Sequence, residues 1–332
     1  MGKYAFLGNF LSGDDILPSI CKLCILCITG PPAPLLDVSQ GGHFFMEIKK
    51  ATTYREQLSK IRERGCLIED EATCLKILEV VNYYRLTAYF LPFRNSDSSY
   101  LPGTSLEKVY GIYEFDRLLR QILFSALEEI EIALRSRLAY FFVHKHSPTA
   151  YLDGSNFSKY HNHEKFIETL QREIDHNSNV LFVKHHKEKY DGIFPLWVAT
   201  ELFSFGMLSY FYADMINADQ KEFSREYYNT IPKNLKSWLR CATDLRNICA
   251  HYGRLYYRIF SAIPANITGI NKAQERSLWA AFLAIRNLYP DHKKWNEQLL
   301  PEIEKLFDKF KDCIQLSHIS FPTNWHDLAQ AG

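Results

Sequence analysis

Apolar residues recur at helical spacing along most of this chain, and strict two-residue alternation is not the governing pattern. The longest periodic run extends from Ser105 to His144, where Leu118, Ile122, Ala126, Ile130, Ala133, Leu134 and Leu138 form one stripe of a single helix. Ahead of it, Tyr54 to Arg64 and Glu69 to Tyr83 are predicted as two helices around a stop at Gly65. The aromatic stretch from Asn82 through Phe93 is expected to pack helices together, with a role in gripping RNA as the alternative reading, and Asn95 to Gly103 reads as a polar loop. Ser147 to Tyr160 is a second loop. Pro195 to Met215 is apolar and aromatic enough to be core or a partner interface. Asn234 to Arg258 reads as one helix, with further amphipathic helices over Ala273 to Leu288 and Asn296 to Lys311 and a loose tail from Ser317. The expected fold class is all-α.

Composition narrows the function classes. A chain of 332 residues with 47% apolar content can bury a substantial core. A net charge of +1 argues against indiscriminate coating of nucleic acid, so any RNA contact has to come from a local patch. Eight cysteines at 21, 24, 27, 66, 74, 241, 249 and 313 form no disulfide framework and point to a reducing cytoplasm. Cys21, Cys24 and Cys27 have metal-like spacing but lack a fourth ligand, with His43 beyond a proline-rich turn, so no metal or other cofactor is assigned.

The apolar stretch from Ile16 to Ile28 is shorter than the roughly 20 residues a membrane span needs. It also lacks the basic flank and cleavage site of a signal peptide, so no membrane partner is expected. Residues 1–45 read as an extension upstream of a native start at Met46. Three segments follow: an N-terminal helical segment over 46–103, a helical core over 104–262 and C-terminal helices over 263–332.

The candidate chemistry lies in Asp244-Leu245-Arg246-Asn247-Ile248-Cys249-Ala250-His251. Histidine, with an ordinary pKa of roughly 6.5, can move a proton near neutral pH, and arginine offers phosphate a planar fork of donors. At about 100° per residue, Asn247, His251, Arg254 and Arg258 fall along one stripe, whereas Arg246 is turned by roughly 140° from His251. From Lys236 to Arg258, the basic residues Lys236, Arg240, Arg246, Arg254 and Arg258 face one acid, Asp244, with Tyr256 and Tyr257 interleaved. That mixture suits a phosphate backbone with stacked bases. By contrast, Arg172 and His176 have three intervening residues in a charged amphipathic stretch and read as a solvated face.

Leu245-Arg246-Asn247-Ile248-Cys249-Ala250-His251, followed by Gly253-Arg254-Leu255 and Arg258, resembles the signature of the Abi-like (abortive infection, AbiD/AbiF-type) proteins of the HEPN superfamily. Val81-Asn82-Tyr83-Tyr84-Arg85-Leu86 with Tyr89, Pro92-Phe93-Arg94, Tyr113-Glu114-Phe115-Asp116-Arg117, and Pro195-Leu196-Trp197 with Ser204-Phe205-Gly206 follow in the same order, so the resemblance covers roughly Arg55 to Arg258. It implies a multi-helix HEPN-type bundle with added N- and C-terminal helices, and a metal-independent endoribonuclease acting in phage defence. Arg246 and His251 match the active pair and Asn247 its polar neighbour, with Arg254, Arg258 and Arg240 as RNA contacts. The expected partners are an RNA substrate, a regulatory or antitoxin RNA, and a second copy in a homodimer that brings two motif helices together. The competing expectation is a non-catalytic HEPN scaffold that binds RNA or protein.

Overall fold

The computed structural model describes residues 50–332; Cys21, Cys24, Cys27 and the proposed start at Met46 lie outside them. The first three helices each begin at a side chain that satisfies an otherwise unpaired amide. Helix α1 (Tyr54–Glu63) starts at Thr53, which forms a reciprocal capping box with Glu56. Helix α2 (Glu71–Val80) starts at Asp70, and α3 (Tyr83–Thr87) at Asn82, whose Oδ1 accepts the Tyr84 amide at 2.8 Å. Gly65, at φ +88°, makes the left-handed turn between α1 and α2.

Helix α4 (Leu106–Lys145) is the expected long element, roughly 60 Å at about 1.5 Å per residue. Ile122, Ala126, Ile130, Leu134 and Leu138 of its stripe are buried, while Leu118 and Ala133 lie half-buried at the margin. After it come α5 (His163–His176), α6 (Leu181–Lys189), α7 (Leu196–Ala199), α8 (Phe205–Asp214), α9 (Asn217–Tyr228) and α10 (Pro232–Ala250). Helix α11 (Leu278–Leu288) precedes α12 (His292–Lys294), a π-turn over Trp295–Leu299, α13 (Leu300–Lys309) and α14 (Trp325–Ala329). The motif helix α10 packs against α4, α8, α9 and α11. Every residue from Leu278 to Ile285 is buried, which explains why α11 is apolar around its whole circumference.

Among the described residues there is no β-strand, only isolated bridges, so the class is all-α. None of their helices is long and apolar enough to cross a membrane. Pro195 to Met215 supplies core through Leu196, Ala199, Phe203, Phe205, Leu208 and Phe211, while Trp197 and Tyr210 face solvent.

Two segments are more ordered than their local sequence predicts. Ser147 to Tyr160 contains two 3-10 turns and buries Tyr151 and Phe157. The tail beyond Ser317 is not loose: Phe321 and Trp325 are buried, and the Trp295 indole donates to the Ala329 carbonyl at 2.9 Å. Asn296 both donates to and accepts from the Ala331 backbone, at 2.9 and 2.8 Å. These partners are some 35 residues away in sequence, beyond the reach of any local pattern.

Candidate active site

Helix α10 carries Pro232 in its first turn, where the missing amide costs nothing, and buries Leu235, Trp238, Leu239, Ala242 and Leu245 against its neighbours. The Trp238 indole donates to the Ala265 carbonyl at 2.8 Å. Burial pushes the Cys241 and Cys249 thiols up to about 12, so both stay protonated and act as small apolar residues.

The helix ends at Ala250, earlier than the sequence pattern predicts, with His251 as its C-cap. The Gly253 amide reaches back to the Ile248 carbonyl at 2.7 Å and the Tyr252 amide to Cys249 at 3.2 Å. Tyr252 adopts the left-handed conformation between them, at φ +56°. This is a Schellman closure with tyrosine where glycine is usual. Gly253 is needed for close approach: a Cβ there would lie 3.0 Å from Ile248 Cγ2 and 3.1 Å from its carbonyl oxygen.

Arg254 and Arg258 therefore leave the stripe that holds Asn247 and His251, a correction to the single continuous helix. Arg254 Nη1 donates to the Ala88 carbonyl at 2.9 Å. Arg258, half-buried, lies 5.9 Å from the Phe260 ring centroid and directs Nη1 at the Arg254 carbonyl at 3.4 Å. Both guanidinium groups have intramolecular partners.

What fixes the helix end is a buried clamp. Asp116, fully enclosed in α4, accepts the Tyr89 hydroxyl at 2.7 Å and the backbone amides of Leu255 and Tyr256 at 3.1 and 2.8 Å. It also pairs with Arg120 one turn on, and Arg120 donates to the Gly253 carbonyl at 3.2 Å. From α3, Arg85 donates to the Tyr252 carbonyl at 2.7 Å. Burial raises the Asp116 carboxyl above the usual range, against the opposing pull of Arg120, Tyr89 and the two amides. Arg85, Tyr89 and Asp116 are legible in the sequence as motif letters without a role. Arg120 has no such signal beyond lying four residues after Asp116.

The predicted pair is held differently at its two members. Arg246 turns toward α4, where its Nε lies 3.4 Å from Glu131 Oε2, and its Nη1 donates to Asn247 Oδ1 at 3.2 Å. Glu131 also binds Arg135 at 3.1 Å, and Arg135 in turn donates to the Thr200 and Phe203 carbonyls. His251 is exposed, and its imidazole makes no hydrogen bond or ring contact among the described residues. Asn247 and Arg240 are exposed on the same helix, as are Tyr252 and Tyr257 beyond it.

The structure thus joins Arg246 to Asn247 and leaves His251 facing solvent. Arg172 and His176 are both exposed on α5. Among the described residues no group of three or more histidine, cysteine or acidic side chains is placed to hold a metal ion.

Neither the curated proteins nor the solved structures include a match to this chain. A family model described as Abi-like protein matches residues 76–257, more than half of the chain. The matched span takes in Arg85, Asp116, Arg120, Glu131, Arg246 and His251, and so contains both the clamp and the motif helix. The family associates the chain with abortive infection, a form of phage defence. On the extent of that match, the chain belongs to the Abi-like protein family.

Proposed function

We propose that this chain is an AbiD/AbiF-type HEPN endoribonuclease that cleaves RNA through the substrate's own 2′-hydroxyl. The observation that carries the reading is the exposed, unpartnered His251 imidazole at the end of a helix whose Arg246 is anchored by Glu131. An imidazole can take and return protons near neutral pH. His251 removes the 2′-hydroxyl proton, O2′ attacks the adjacent phosphorus, and the P–O5′ bond breaks as the proton is returned to the leaving O5′. Arg246 stabilises the extra negative charge that builds on the phosphate, the larger electrostatic effect in such a step. Asn247, bonded to Arg246, orients it or a phosphate oxygen, and Arg240 contacts the flanking backbone. The products are a 2′,3′-cyclic phosphate and a 5′-hydroxyl.

Because Arg246 and His251 point in different directions on one helix, a second copy completes the site, with Arg246 of one protomer serving His251 of the other. Arg254 and Arg258 contribute through the loop they hold rather than through free guanidinium groups. A regulatory or antitoxin RNA would act by covering the exposed helix end.

The alternative, a non-catalytic RNA- or protein-binding HEPN scaffold, draws on the Glu131–Arg246 ion pair, since a carboxylate beside the guanidinium competes with phosphate. Incubation of wild-type protein with labelled RNA and with its all-deoxy counterpart in excess EDTA, followed by analysis of the ends, separates the two. Cyclic-phosphate ends on RNA with DNA untouched support the enzyme. RNA bound but intact supports the scaffold.

A further inference from the structure

Helices α9 and α10 diverge around a cleft of about 850 Å³. Lys221 and Arg225 enter it from α9, Lys233 and Lys236 from α10, and no carboxylate lines it. Among the described residues none of these four cations forms an ion pair, although the whole chain is balanced to +1. Like charges gathered in a concave space repel one another unless an anion joins them, and such clefts focus the field on an anionic ligand.

The cleft is continuous with the motif. At about 100° per residue, Lys233, Lys236, Arg240, Asp244, Asn247 and His251 fall within about 80° of one another on α10. The acid on that stripe, Asp244, is engaged by the Ser261 hydroxyl at 3.0 Å. From Lys233 to His251 the stripe is about 27 Å long, at about 1.5 Å per residue. A stacked strand advancing about 3.4 Å per nucleotide covers that distance in about eight nucleotides.

We propose that this cleft grips the phosphodiester backbone of single-stranded RNA, about eight nucleotides from a linkage held at His251. The proposal rests on the RNA-cleaving reading above. It adds a second, remote binding site and a preference for unpaired strands long enough to span both. A duplex is too wide to enter a cleft of about 850 Å³ between two helices, whereas a single strand is slender enough to thread it.

The test uses full-length protein carrying His251→Ala, so that bound RNA stays intact, with and without Lys221→Gln, Arg225→Gln and Lys233→Gln. These three positions are exposed, so the fold is expected to survive the changes. The charge-keeping pair Lys221→Arg and Lys233→Arg serves as the rescue. Binding of a fluorescent single strand of about 12 nucleotides is measured against salt. With three phosphate contacts removed, affinity falls about 10-fold or more and the slope of log K against log salt becomes shallower by about 2. The charge-keeping pair restores both, and a trinucleotide shows neither effect.

An unchanged affinity and slope would overturn the cleft. So would poly-glutamate of matched charge displacing the strand as well as RNA does, which would assign the cleft to an acidic protein. The cleaving reading is judged separately, by turnover of the protein with His251 intact: loss of RNA affinity in the triple variant without any turnover would uphold the cleft and sink the enzyme.

Discussion

The buried carboxylate of Asp116 accepts the backbone amide of Tyr256 at 2.8 Å, tying the first third of α4 to the loop that follows the motif helix. Asp116 also pairs with Arg120, itself buried. Removing one member of a buried pair strands the other charge, at about 3–5 kcal/mol. Asp116→Ala is therefore expected to lower the unfolding free energy by about that amount in a denaturant melt, and by more than Arg85→Ala, whose hydrogen bond to Tyr252 is exposed. Equal effects of the two substitutions would remove Asp116 as the centre of the clamp.

Tyr252 occupies a left-handed position that costs an ordinary residue roughly 1–2 kcal/mol and costs glycine nothing. Tyr252→Gly should raise the melting temperature, because the ring is mostly solvent-exposed and little packing is lost. If the ring stacks a base, the same substitution weakens RNA binding. A more stable protein with weaker RNA affinity is the expected outcome. A lower melting temperature would show that the ring supports the fold.

Gly253→Ala acts in the opposite direction. Its Cβ would press on Ile248, so a loss of about 1–3 kcal/mol is expected from overpacking. The strain falls on the closure that positions His251, so turnover should drop along with stability. Thermal melts and cleavage rates on the same preparation check both.

His318 gives the fold a pH dependence. It shares a 2.9 Å hydrogen bond with the Tyr256 hydroxyl, and burial holds its imidazole below the usual histidine value. The unfolded chain takes up this proton near pH 6.5, the folded chain only at lower pH. Between those two values the unfolded state binds more protons. Stability is therefore intact above about pH 6.5, falls as the pH drops toward the folded value and levels off beneath it. His318→Gln should make the decline between pH 7 and pH 5 shallower in denaturant melts; an unchanged slope would place the sensitivity elsewhere.

The sequence and the structure agree where the information is local. The buried stripe of α4, with Ile122, Ala126, Ile130, Leu134 and Leu138, follows directly from helical periodicity. The end of α10 is hidden in the sequence because no glycine stands at Tyr252; Gly253, one position later, is the only local signal, and its meaning depends on contact with Ile248. Asp116 lies within a readable motif, yet an acid in a helix ordinarily faces water. Its burial arises from Arg120, Tyr89 and a loop about 140 residues away, which no periodicity encodes. Glu131 and Arg135 stand four residues apart on one helix, whereas the second partner of Glu131, Arg246, depends on the packing of α10 against α4.

The measurement that bears most directly on the proposed chemistry is single-turnover cleavage of one RNA by wild type, Arg246→Ala, His251→Ala and Glu131→Gln in EDTA, with melting curves confirming that each is folded. Loss of a proton-transfer group or of a charge-stabilising donor should each slow the step by about 100-fold or more. Glu131→Gln, which loosens a positioning contact, should slow it by about 10-fold, in the cleavage rate constant at saturating protein and not in RNA affinity. Folded Arg246→Ala and His251→Ala proteins that cleave at the wild-type rate would contradict the account.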